Sequence, residues 1–293
     1  MEPSHYGPFP YIPIHRRPRL VWPGNARVAV WVIPNIEFFP LNEGLAGHPF
    51  ESKGSAPTVR PWAQRDYGNR VGIWRIMDVL DKRGIRASAT VNSDICIHHP
   101  EILEAAVQLD WELLGHNETN TRRLAGLSRD EEVQTIGNCV RLLSQFQRPV
   151  GWLGAALAET WSTLEILLDQ QFEYVADWVN DDQPYAMNVN AGSRSIVSVP
   201  YSYEVNDSPF FHYKNGSVEE FEKLAKRQFD VLYEEGAESG RVMAICLHPF
   251  IIGVPHRIKV LDSILAYIQS FDDVWFATGA EIARHYRQSV GTE

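Results

Sequence analysis

The chain holds only three cysteines, Cys96, Cys139 and Cys246, an odd number without any CxxC spacing. That excludes a disulfide framework and favours a reducing compartment, with Cys246 an ordinary buried thiol inside an apolar run. No apolar run is long enough to span a bilayer. The first residues, from Met1 to Pro8, lack the basic-then-apolar order of a secretory signal, so a cytoplasmic location is expected. Basic clusters are short, Arg16, Arg17 and Arg19, then Arg122 and Arg123, against a formal net charge of −10. Nucleic acid and anionic membranes reward clustered Lys and Arg, so neither is expected as a partner. GxGxxG, GxxxxGK[ST] and GxSxG are also missing, which removes the common phosphate cradles and the serine nucleophile elbow.

What is present is a regular alternation. With 293 residues, 44% of them hydrophobic, the chain can bury one large α/β core. Residues 1–25, rich in Pro and aromatics, read as an arm packed on its own domain or a neighbouring subunit, and residues 26–293 as a single catalytic domain. Strand patterns at 27–33, 87–91, 112–115, 149–152, 174–175, 195–200, 242–248 and 274–276 alternate with helical patterns at 69–83, 100–109, 128–146, 160–169, 218–235, 255–270 and 279–286. Parallel pairing through right-handed crossovers follows, and about seven such units imply a distorted (β/α) barrel. The stretch from Pro34 to Asp66 reads as one long irregular loop, and loops of that length are usually functional.

In such folds the carboxyl ends of the strands share one cleft. Two histidines stand where apolar strands run out, His116 after Trp111–Gly115 and His248 after Val242–Leu247. Asn35 and Glu37 end the first strand, and their spacing of two puts both on one face. A lone Glu at a strand end is commonly just solvated, and a lone His is commonly satisfied by a loop carbonyl. Here a carboxylate and two imidazoles reach the same rim independently, a set suited to hydrolysing an amide. Asn120, four residues after His116, Trp152, and the turn-like Asn180–Tyr185 with Asp182 complete the expected rim.

These segments together resemble the polysaccharide deacetylase (NodB-homology) family, closest to its intracellular allantoinase-like branch. The likeness rests on Asn35-Ile36-Glu37, on Tyr67 to Arg75 (Tyr-Gly-Asn-Arg-Val-Gly-Ile-Trp-Arg), and on Trp111 to His116. It continues through Gly151-Trp152, Asn180 to Tyr185, Val199 to Tyr201 with Asn206-Asp207, Val231 to Glu238, and Leu247-His248 followed by Gly253, Pro255 and Arg257. It implies a distorted (β/α) barrel with its site at the strand carboxyl ends. Metal-dependent members of the family carry two neighbouring Asp on the first strand and two His four apart on the third. This chain has Asn35 and Glu37, then His116 and Asn120, at those positions. A family arginine near Gly151-Trp152 is replaced by Leu153-Gly154-Ala155-Ala156.

The expectation is therefore a hydrolase of non-peptide C–N bonds acting on a small cyclic imide, ureide or amide, as a homo-oligomer (dimer or tetramer). Glu37, His116 and His248 are its catalytic candidates, and Asn35, Asn120, Trp152 and Asp182 its substrate contacts. No cofactor is expected; if a divalent metal such as Zn²⁺ is bound, Glu37, His116 and Asn120 are the candidate ligands. The alternatives are a metal-dependent amino-sugar N-deacetylase and a catalytically inactive barrel with a binding role.

Overall fold

In the computed structural model, which describes residues 4–43 and 58–291, strand β1 (Val28–Ile36) is buried along its whole length. Its alternation divides the core. Val28, Val30, Val32 and Ile36 pack outward with Ile76, Leu113 and Ile264. Ala29, Trp31 and Ile33 pack inward with Leu114, Val199 and Cys246. A strand apolar on both faces belongs at the centre of a parallel sheet covered by helices.

The remaining strands are β2 (Ser88–Val91), β3 (Glu112–Gly115), β4 (Gly151–Trp152), β5 (Tyr174–Val175), β6 (Tyr185–Val189), β7 (Arg194–Ser198), β8 (Arg241–Leu247) and β9 (Val274–Phe276). They run in the order β6-β7-β5-β4-β3-β2-β1-β8, with β9 also paired to β1. Every pairing is parallel except β6 with β7. The result is the expected distorted (β/α) barrel, with nine strands among the described residues rather than about seven. The strand missed from sequence is β6, hidden inside a stretch read as turn and loop. The sheet closes through a loop: the Cys246 N–H on β8 donates to the Val205 carbonyl at 2.9 Å.

Helices fill the crossovers. They are α1 (Val59–Tyr67), α2 (Ile73–Lys82), α3 (Ile95–His98), α4 (Pro100–Gln108), α5 (Arg129–Leu143), α6 (Thr163–Asp169), α7 (Val218–Glu235), α8 (Ile258–Gln269) and α9 (Gly279–Val290). Ser128 and Glu131 form the expected capping box at the start of α5. Helix α1 occupies the end of what sequence presents as irregular loop; residues 44–57 of that loop lie outside the described residues. Between α1 and α2, a Cβ at Gly72 would meet the Pro249 carbonyl oxygen at 2.0 Å, so only glycine lets this turn lie against the segment that follows His248. Arg75 then clamps the contact, donating to the Gly253 carbonyl at 2.8 Å.

The opposite, amino-terminal end of the barrel is sealed. Glu112 is buried there, accepting from Ser88 Oγ at 2.6 Å, Tyr174 OH at 2.9 Å and the Ala280 N–H at 3.2 Å. Trp22 is also buried, its indole N–H donating to the Arg241 carbonyl at 2.9 Å. No helix among the described residues is long and apolar enough to cross a membrane.

Candidate active site

The inward parity of β1 carries past its end, so Glu37 enters the cleft on the same side as Trp31, Ile33 and Asn35. Glu37 Oε1 lies 3.6 Å from His248 Nε2 and 4.0 Å from His116 Nε2, and all three side chains are buried. Three elements distant in sequence thus deliver the three catalytic candidates to one point. Burial pushes the Glu37 carboxyl above its ordinary range, while His248 and Arg65 oppose that shift.

The two imidazoles are shifted in opposite directions. The Nδ1 of His116 lies 2.5 Å from the Leu153 carbonyl, which only accepts, so Nδ1 carries the hydrogen and Nε2 a lone pair. Burial drives the His116 pKa down to about 4. Its Nε2 is buried without a hydrogen-bond partner. By contrast, His248 Nδ1 lies 2.7 Å from Asp207 Oδ1. Burial works against a charge on His248, but Asp207 and Glu37 outweigh it and the pKa is raised. Asp207 is itself fully buried and fixed by backbone donors, the N–H of His248 at 2.8 Å and of Ile252 at 3.2 Å.

Asn120 joins the cluster. Its N–H is anchored on the Phe38 carbonyl at 3.0 Å. Its side-chain amide faces both Glu37 and His116, with Oδ1 buried and unpartnered. Asn35 reaches the same face, but both ends of its amide are engaged. Nδ2 donates to the Leu247 carbonyl at 3.0 Å, and Oδ1 accepts from Thr90 Oγ1 at 2.8 Å and Tyr201 OH at 3.3 Å. It ties β1 to β8 and β2 instead of presenting a free group to substrate.

Two expected rim residues are elsewhere. Trp152 pairs in register with Gly115, the residue before His116, and so faces the opposite side of the sheet. Its ring is fully buried between strand and helices with Phe172, Leu164 and Ile136. The residue after it, Leu153, is the one that touches His116. Asp182 lies at the amino-terminal end of β8, where its carbonyl accepts from the Val242 N–H at 2.8 Å. Val242 precedes His248 by six residues, ~20 Å of strand, so Asp182 cannot share its pocket.

Sequence reasoning missed Asp207, although Asn206-Asp207 stood among the segments of the resemblance. It also missed the Leu153 carbonyl and Arg65, which acts electrostatically on Glu37 from α1.

The groups that face one another as donors for a metal are Glu37, His116, Asn120 and the Nε2 of His248. An amide oxygen is a poor zinc donor, Asn35 Oδ1 is taken by Thr90 and Tyr201, and Asp207 is committed to His248. Among the described residues, no three His, Cys, Asp or Glu side chains are grouped to hold a metal ion. Asn120, standing where a second imidazole of the third strand would be, makes this a weak donor set for zinc.

No family model matches the chain. A polysaccharide-deacetylase-like protein of Schizosaccharomyces pombe is 27% identical over 298 residues, covering 90% of this chain and 91% of that protein. Among solved structures, a polysaccharide-deacetylase-like protein of Pseudomonas aeruginosa PAO1 superposes with a TM-score of 0.85 at 27% identity, over 95% of this chain and 97% of the other. The PuuE allantoinase superposes with a TM-score of 0.82 at 26% identity, over 93% and 94%. These likenesses run almost end to end, and they join the motif order to the barrel whose strand ends carry Glu37, His116 and His248. On that combined footing the chain is similar, in motif order and in fold, to proteins of the polysaccharide deacetylase (NodB-homology) family.

Proposed function

We propose that this pocket hydrolyses a C–N bond in a small cyclic imide, ureide or amide, without a resident metal. The broader class, a hydrolase of carbon–nitrogen bonds other than peptide bonds, comes with the family. The observation that carries the finer reading is the opposed setting of two imidazoles around one buried carboxylate. Titratable neighbours whose environments push them apart divide into acid and base.

Glu37, raised by burial, takes a proton from water as that water attacks the carbonyl carbon. The neutral His116 accepts the water's other O–H at Nε2 and so aims its lone pair. His248, held protonated by Asp207, gives its proton to the departing nitrogen. The 3.6 Å between Glu37 and His248 then lets the captured proton return to the imidazole and reset the site. Asn120 binds a polar edge of the substrate. The arm of residues 1–25, a cytoplasmic location and a homo-oligomeric state belong to the same proposal. The arm is supported by Arg17, whose guanidinium meets both oxygens of Asp181 at 2.7 and 2.6 Å.

A second reading, metal-dependent N-deacetylation of an amino sugar, is favoured by one observation: His116 Nε2 and Asn120 Oδ1 are both buried and unpartnered near Glu37. The test is a hydrolysis screen over ureides, cyclic imides, hydantoins, formamides and N-acetyl sugars, with chelator and with added Zn²⁺. Turnover of a ureide or imide that survives chelation is the expected result. Stoichiometric zinc with chelator-sensitive deacetylation would replace the first reading by the second, and ligand binding without turnover of any kind would leave an inactive barrel.

A further inference from the structure

Arg65 is a cation placed beside the pocket, and no carboxylate among the described residues forms an ion pair with it. Its guanidinium carbon lies 4.9 Å from the centre of the Phe39 ring and 5.4 Å from that of Phe250. Phe39 follows Glu37 by two residues and Phe250 follows His248 by two, so both catalytic strand ends build the clamp. The backbone of Phe39 is held in turn, its carbonyl accepting from the Trp62 indole at 2.7 Å. Among the described residues Arg65 has no ion pair: its one direct hydrogen bond is from Nη1 to the Pro61 carbonyl at 3.1 Å. Its Nε is buried without a partner. Burial lowers the Arg65 pKa, with Glu37 and Tyr213 opposing that shift.

A half-buried guanidinium with no ion pair among the described residues is costly, and an arriving acceptor relieves that cost. The fork geometry suits a planar carboxylate, which can take two parallel N–H bonds. Two aromatic rings, packed edge to face 6.4 Å apart against the guanidinium, restrict the side chain before the ligand comes, which reduces the entropy lost on binding. Glu37 does not serve as that acceptor, because its Oε1 is turned to the imidazoles.

We propose that Arg65 determines specificity, by binding a carboxylate carried on the same small molecule whose C–N bond is cut. The substrate class is thus an acidic imide or ureide, and this rests on the hydrolase reading above. Arg65 would set KM for acid substrates and reject their neutral counterparts.

The test uses matched pairs on hydantoin, succinimide and ureide scaffolds, each as an acetic acid and as the corresponding primary amide. Turnover and, separately, calorimetric binding are measured with the full chain. Wild type is expected to bind the acid member of a pair about tenfold to hundredfold tighter. In Arg65→Met that ratio should collapse toward one, and Arg65→Lys, which keeps the charge without the fork, should fall between. Circular dichroism and melting establish that the variants fold. Equal binding of acid and amide by wild type, no binding of any acid, or an undiminished ratio in Arg65→Met overturns the proposal. If Arg65 only tuned Glu37, the variant would shift the pH profile for both members alike and leave the ratio intact, which also overturns it. Selective binding without turnover would sink the hydrolase reading and spare Arg65, so the two failures are distinguishable.

Discussion

Replacing Asp207 by Asn tests whether His248 is the acid. The carboxylate accepts from the His248 N–H, from His248 Nδ1 at 2.7 Å and from the Ile252 N–H at 3.2 Å. Asn is nearly isosteric but neutral, and its NH₂ faces donors where an oxygen stood. A charge-assisted hydrogen bond contributes about 1.5–3 kcal/mol against about 1 for a neutral one, so the imidazolium loses roughly 1–2 kcal/mol. At 1.36 kcal/mol per pKa unit that is a fall of about one unit. The sign follows from the role: His248 must be protonated to act, so activity is lost as pH rises through its raised pKa. In Asp207→Asn the alkaline limb of kcat/KM should move acidward by about one unit, and activity on its alkaline side should fall about tenfold or more. The acidic limb, set by Glu37, should move less. The orphaned backbone donor adds a stability loss of about 1–3 kcal/mol, readable by urea unfolding. A variant with its alkaline limb unmoved and kcat intact would refute the assignment of His248 as the acid.

Three further outcomes follow from the same geometry. His116→Ala should lower kcat by about 10²- to 10⁴-fold while folding survives, and wild-type turnover in that variant would remove His116 from the mechanism. Burial raises Asp177 to about 7, and its neighbour Glu159 is raised well above its ordinary value, first by burial and then by Asp177. A folded pKa above the unfolded value means stability fully present at low pH and lost as pH rises through about 7. Unfolding free energies should therefore decline between about pH 4 and pH 7, and Asp177→Asn should flatten that decline; an unchanged slope counts against the buried pair.

The parts of the site legible in sequence are those governed by strand alternation. Asn35 and Glu37 share a face because they are two apart at the end of a nine-residue strand, and that parity survives into the fold. His116 and His248 are legible for the same reason, each being the first residue beyond an apolar run. Trp152 fails by one residue. Strand β4 is only two residues long, too short to show an alternation, and its register with Gly115 turns the indole outward. Asp182 fails because the path from β5 to β6 crosses to the far end of β8, which no local pattern records. The hairpin of β6 and β7, turning at Asn190–Gly192, is hidden by polar residues such as Asn188 that read as loop.

What strand parity cannot supply is the chemical difference between the two imidazoles. Both end buried strands and both approach Glu37, so by pattern they are equivalent. Their states diverge through single acceptors contributed by loops: the Leu153 carbonyl for His116, and the Asp207 carboxylate, 41 residues upstream in sequence, for His248. A neutral acceptor does not compensate for burial, and His116 falls to about 4. A charged acceptor does, and His248 rises. Asp207 can stand there because the loop from Val205 is annealed to β8 at Cys246, which makes it a short surrogate strand at the barrel's closure. The acceptor that raises His248 is thus supplied at the seam where the sheet closes, while the one that leaves His116 neutral follows β4.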